Sequence, residues 1–153
     1  MSEPTSTSLS HQFSSLTGRS VMFTRTSATP DAKPKQIYGF YTSFPSGKTI
    51  VVKADAPLLG AFAGALVGLP DSEVRRHLTR NPMEELLRDA IYESLNIAAS
   101  VVSSEGRAVF AGMTTDPATL GEIAVSILAK PEHKTCFDVR VEGYQGGSFT
   151  VLD

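Results

Sequence analysis

Three polar residues in the second half of the chain have types and spacing suited to chemistry: Asp89, Glu93 and Asn96. Residues three or four apart are neighbours on a helix surface, so this spacing places two carboxylates and an amide side by side. A carboxylate can pair with a cation, and an amide can accept one hydrogen bond while it donates another at neutral pH. The row is the first candidate for a functional site, although the same pattern is also typical of the solvated face of an amphipathic helix.

The segment that must carry this row is a long amphipathic helix, predicted from about Asn81 to Val102. Asn81 is the expected N-cap, and Pro82 stands in the first turn, where proline is well tolerated. Apolar and small residues recur at helical spacing on the face opposite the polar row. This face contains Met83, Leu87, Ala90, Ile91, Ser94, Leu95, Ala98, Val101 and Val102.

Length and charge exclude several classes of protein. The 153 residues suit one compact domain, and 14 Lys and Arg against 16 Asp and Glu give no bulk charge that would direct the chain to nucleic acid or to an anionic membrane. A single cysteine, Cys136, cannot form an internal disulfide. The longest apolar stretch, Ala56 to Leu69, is too short to span a bilayer, and no signal peptide is recognisable. We therefore predict a cytoplasmic protein without membrane insertion.

The remaining segments predict an α+β domain with an antiparallel sheet packed against two long helices. Residues 1–17 are rich in Ser and Thr and are predicted to be mobile, so the domain is expected to span residues 18–153. A first helix is predicted over Ala56–Val67, with Asp55 as N-cap and Gly68 at its end. Residues 118–130 fit either a helix or a strand. Strands are predicted at 19–26, 36–44, 48–53, 107–113, 137–142 and 148–151.

Other motifs that suggest chemistry have simpler explanations. Ser46-Gly-Lys-Thr49 lacks the earlier glycine of a phosphate-binding loop and precedes a strand, so it is predicted to be a hairpin turn. His11, His77 and His133 lack metal-ligand spacing and are expected on the surface, and no metal site is predicted. Cys136 is expected to be a small buried side chain.

The sequence resembles the CheX branch of the CheC, CheX and FliY family of chemotaxis phosphatases, and the helix from Asp89 to Asn96 is similar to the signature helix of that family. That helix carries an Asp or Ser, a Glu four residues later and an Asn three beyond it. The likeness extends from about Ile37 to Gly147. In the family a glycine usually stands where Ser100 stands here, and a long N-terminal helix usually precedes the domain, for which residues 1–18 are too short and polar. The same alignment makes Glu122–Leu128 a strand.

The resemblance implies a phosphatase that acts on the aspartyl phosphate of a CheY-like receiver domain. Asn96 would orient the attacking water, and Glu93 would pair with the receiver's lysine. Asp89, Tyr92 and Ser100 would contact the partner. The protein would need no cofactor of its own, because the receiver supplies magnesium. The alternative is a domain of the same fold that binds a receiver or a flagellar-switch component without catalysis.

The resemblance also implies a possible homodimer. Members of the family can exchange terminal strands, and the C-terminal hairpin after Cys136 is expected to present an exposed edge on which a second copy could pair.

Overall fold

The computed structural model describes residues 5–27, 35–79, 85–103, 107–119 and 121–153. Within these residues no helix is both long enough and apolar enough to cross a membrane. The helices are α1 (Ser6–Thr17), α2 (Ala56–Val67), α3 (Asp71–Leu78), α4 (Glu85–Val102) and α5 (Glu122–Ala129), with a short 3-10 turn at Pro117–Thr119. The strands are β1 (Val21–Thr26), β2 (Gln36–Ser43), β3 (Thr49–Asp55), β4 (Ala108–Thr114), β5 (Lys134–Val141) and β6 (Gly147–Leu152).

The six strands form one antiparallel sheet in the order β1-β5-β6-β3-β2-β4. Side chains alternate between its faces, as in β5, where buried residues alternate with more exposed ones. One face packs against α1, α2 and α4 in a single hydrophobic cluster. The predicted α+β class, an antiparallel sheet covered by helices, is therefore confirmed, with three helices on the main face where two were expected.

The N-terminal segment corrects a prediction, because residues 6–17 form helix α1. Thr5 caps its start by accepting a hydrogen bond from the Ser8 amide at 3.1 Å, and Gly18 ends it with φ 67°. Leu9 and Phe13 are fully buried in the main cluster, so the domain includes α1 and does not begin at residue 18. Composition was misleading here because two large apolar residues at helical spacing suffice to bury one face of a helix rich in serine.

Residues 122–129 also correct a prediction, because the family alignment made Glu122–Leu128 a strand. They form α5, which packs on the opposite face of the sheet through Ala124, Ile127 and Leu128, against Val51 and Leu152. The spacing of these three residues is helical, since positions three and four apart share a helix face. Of the two structures that the residues alone left open, the helix is therefore the one adopted.

The C-terminal hairpin does not present a free edge. Strand β5 pairs with β1 and β6, and β6 pairs with β5 and β3, so both lie inside the sheet. Its two edges are β1 and β4. The exposed edge on which the predicted dimer rested is therefore absent from this hairpin.

Helix α2 follows the predicted bounds, but Asp55 acts differently from the prediction. Gly68 adopts φ 80° at the predicted end of the helix. Asp55 occupies the N-cap position without capping the helix. Its carboxylate accepts hydrogen bonds from Gln36 Nε2 at 2.6 Å and from the Ser148 amide at 2.8 Å, and so links three neighbouring strands.

Candidate functional site

Helix α4 carries the predicted polar row on its solvent-exposed face. Asp89, Glu93 and Asn96 are all exposed, whereas Ile91 and Leu95 on the opposite face are completely buried. The amphipathic pattern of the sequence is thus the pattern of burial in the structure. The predicted start of this helix at Asn81 lies outside the described residues.

The three side chains of the row are available to a partner. In the described part of the chain, none of them forms a hydrogen bond or an ion pair. Helical geometry places the Cβ atoms of residues three or four apart at about 5–6 Å. Glu93 and Asn96 therefore present a carboxylate and an amide to solvent close enough to touch one small group.

An open groove of about 440 Å³ runs beside the row, between α4 and the edge strand β4. Asn96 and Ser100 line its helix side, and Arg107, Val109 and Phe110 line its strand side. The Ser100 hydroxyl donates a hydrogen bond to the Ile97 carbonyl of the same helix at 3.2 Å. The Ser100 side chain therefore lies along the helix. The amide of Asn96 thus stands at the rim of a concave surface.

Tyr92 is the aromatic residue next to the row. Its side chain is 46% exposed, and its ring meets the Phe110 ring edge to face at a centroid distance of 4.8 Å. Phe110 in turn contacts the buried ring of Tyr41 at 5.2 Å. Tyr92 therefore offers a supported aromatic surface beside Glu93, of the kind that anchors protein interfaces.

Strand β2 holds α4 in place through alternate residues of one face. Gly39 lies beneath Leu95, since a Cβ atom there would be in ordinary van der Waals contact with Leu95 Cδ1 at 3.4 Å. The Tyr41 hydroxyl donates to the Leu95 carbonyl at 2.7 Å, and the Ser43 and Ser103 hydroxyls share a hydrogen bond. Sequence reasoning missed these supporting residues. The alternation within β2 indicates that they share a face, but only the tertiary structure reveals that α4 covers it.

All three histidines were expected on the surface, and one of them is buried. His11 is exposed, but His77 is buried in α3, with its Nε2 3.8 Å from a Glu73 carboxylate oxygen. Cys136 is only partly buried.

His133 has acidic neighbours that sequence spacing did not reveal. Its Nδ1 lies 2.7 Å from Asp153 Oδ1, and one ligand atom each from Glu132, His133 and Asp153 lies within 4.8 Å of the others. Glu132 is already paired with Lys48 at 3.1 Å, and this hydrogen bond lowers the pKa of Glu132 below its ordinary value. The ammonium group opposes a further cation there, so we assign no metal to this cluster.

Comparisons with known proteins identify the fold. No protein-family model and no curated protein matches the sequence. FliY from Thermotoga maritima aligns at 13% identity with a TM-score of 0.59, over 94% of this chain and 80% of that chain. The FliM middle domain from H. pylori aligns at 14% identity with a TM-score of 0.57, over 96% and 83%. A FliG–FliM complex from H. pylori gives 12% identity and 0.56, over 96% and 85%.

These likenesses concern the fold, since the identities are low. Their high coverage means that the likeness extends over nearly the whole chain. The chain therefore has the CheC-like fold found in FliY and in the FliM middle domain, as its resemblance to the CheC, CheX and FliY family predicted.

Proposed function

We propose that this protein dephosphorylates the aspartyl phosphate of a CheY-like receiver domain. The observation that carries the proposal is that Glu93 and Asn96 lie on the exposed face of α4 at the spacing of the family's signature helix, with no hydrogen bond or ion pair to the residues that the structure describes. The CheC-like fold supports it, because it is the fold of the family whose signature helix this segment resembles.

The chemistry requires little from this protein beyond positioning. Water attacks the phosphorus in line, the P–O bond to the receiver's aspartate breaks, and the aspartate carboxylate and inorganic phosphate are released. The receiver contributes the metal ion and lysine that neutralise the phosphoryl charge. Asn96 orients the water, because its amide oxygen can accept a hydrogen bond from water while its nitrogen donates to a phosphoryl oxygen.

Glu93 and its neighbours fix the position of the receiver. The Glu93 carboxylate pairs with the receiver's lysine, which sets the register of the complex. Tyr92 supplies an aromatic contact, and Asp89 supplies a charge further from the reacting group. Ser100 contacts the partner where the receiver lies in the groove. No metal or cofactor of this chain takes part.

The activity is tested by measuring phosphate release from phosphorylated CheY-like receivers with and without the protein. We expect the protein to accelerate release from its cognate receiver above that receiver's own rate. An unchanged rate with every receiver encoded by the same organism would refute the enzymatic function.

Glu93→Ala is expected to lower kcat/KM about tenfold, mainly through a higher KM, because an interfacial charge pair is lost. The loss is expected to shrink at high salt, which screens the same interaction in the wild type. Steady-state kinetics at two ionic strengths test this. Glu122→Ala is the matched control, since it removes an exposed carboxylate from α5, on the other face of the sheet. Equal losses in both variants would contradict the role of Glu93.

A non-catalytic function is the alternative, in which the domain binds a receiver or a flagellar-switch component. One of the similar structures is a FliG–FliM complex, in which FliM is bound to FliG, and this supports the non-catalytic function. Ser100 also replaces the usual glycine at the groove. Binding of a phosphorylated receiver without acceleration of its dephosphorylation would select this function.

A further inference from the structure

We propose that Tyr41 is a positioning residue for the Glu93 and Asn96 pair. The inference rests on the proposed phosphatase function and concerns how the fold holds these two side chains at the geometry that the reaction needs.

The first link is a hydrogen bond to the backbone beside Asn96. Tyr41 is 1% exposed, and its hydroxyl donates to the Leu95 carbonyl at 2.7 Å. That carbonyl belongs to the peptide group whose nitrogen is the backbone nitrogen of Asn96, and its second lone pair can accept a helical hydrogen bond. The height of Asn96 above the sheet is therefore tied to strand β2.

Burial keeps this hydroxyl in the donor state. It raises the pKa of Tyr41 well above the ordinary value for tyrosine, because a phenolate would be poorly solvated in the core. The bond from Tyr41 to the helix therefore persists at every pH at which the protein would work.

The second link is a row of aromatic rings that leads to Glu93. The Tyr41 ring contacts the Phe110 ring at 5.2 Å, and Phe110 meets the ring of Tyr92 at 4.8 Å. Tyr92 directly precedes Glu93 on α4. Tyr41 thus contacts the helix backbone beside Asn96 directly, and it reaches the neighbour of Glu93 through the ring of Phe110.

Other contacts between β2 and α4 make the hydroxyl separable from packing. Gly39 meets Leu95, and Ser43 bonds Ser103, so the helix stays docked when the Tyr41 hydroxyl is removed. Tyr41→Phe keeps the ring against Phe110 and deletes only the bond to Leu95. The expected effect is a small shift of α4 along the sheet, and small displacements of positioning groups have large effects on rate.

Tyr41→Phe is therefore expected to lower kcat for receiver dephosphorylation about tenfold while KM changes by less than about twofold. A fall in kcat with an unchanged KM indicates the loss of an interaction that is made in the transition state. A general loss of folded protein would not lower kcat once the concentration of active protein is measured. Hydrogen exchange of α4 amides in the variant, expected to be faster than in the wild type, is the second measurement.

Tyr144→Phe is the matched control, because it deletes another tyrosine hydroxyl that donates to a backbone carbonyl, that of Leu69. We expect its kcat to equal that of the wild type. An unchanged kcat in Tyr41→Phe, or equal losses in both variants, would overturn the positioning role while the phosphatase function stands. A wild type that accelerates no receiver would instead overturn the proposed function, and the positioning role with it.

Discussion

Asn96→Ala is expected to abolish most of the acceleration of receiver dephosphorylation, a loss of about 100-fold or down to the receiver's own rate. The reason is that Asn96 has the one side chain in the exposed row that can accept from water and donate to phosphate at once. Because its side chain is exposed and unpaired within the described residues, the fold loses nothing when it is truncated. Single-turnover phosphate release measures the loss of acceleration, and the thermal midpoint of unfolding measures the stability of the variant.

Binding distinguishes the role of Asn96 from that of its neighbour. We expect Asn96→Ala to keep its affinity for a phosphorylated receiver, whereas Glu93→Ala binds more weakly. A variant that lacks Asn96 and still turns over at the wild-type rate would show that another group orients the water, even if the protein is a phosphatase.

Phe13→Ala is expected to lower the free energy of unfolding by about 3–5 kcal/mol. Phe13 is 1% exposed, and its ring stacks on Phe62 at 4.3 Å and on Phe23 at 5.4 Å, so truncation opens a cavity where α1 meets the core. Urea denaturation, with the slope compared to confirm two-state unfolding, measures the loss.

The control for α1 lies in the same helix. Ser15 is exposed, and Ser15→Ala is expected to change the unfolding free energy by less than about 0.5 kcal/mol. Similar stabilities for Phe13→Ala and the wild type would mean that α1 does not contribute to the core in solution. Residues 1–17 would then be mobile, as their composition predicted.

Several parts of the fold could be predicted from local sequence because local spacing determines them. The periodicity of α4 predicted which residues are buried and which are exposed. Leu95 is buried and Asn96 is exposed, as predicted. The alternation in β5 and the turn residues around Gly143 predicted the C-terminal hairpin. In each case the pattern lies within one short, continuous stretch of the sequence.

Composition, the family alignment and local pattern were insufficient where another element decides the outcome. Residues 6–17 were predicted to be mobile because of their composition, yet Leu9 and Phe13 pack into a core formed by distant strands. Residues 122–129 matched a strand by alignment, but Val51 and Leu152 provide an apolar surface on the outer face of the sheet that a helix can cover. The position of β5 and β6 inside the sheet depends on pairing with β1 and β3, which are far away in the chain.

The sequence by itself thus determined the chemistry available to this protein: a carboxylate and an amide one helical turn apart on a solvated helix face, and a resemblance that gives them a use. The tertiary structure decided how rigidly that chemistry is held. Tyr41, Gly39 and Phe110 come from two strands that α4 happens to cover, and their contacts with the helix exist only after long-range pairing has closed the sheet. Side-chain periodicity is a local property, whereas the support of a site depends on contacts between elements distant in sequence.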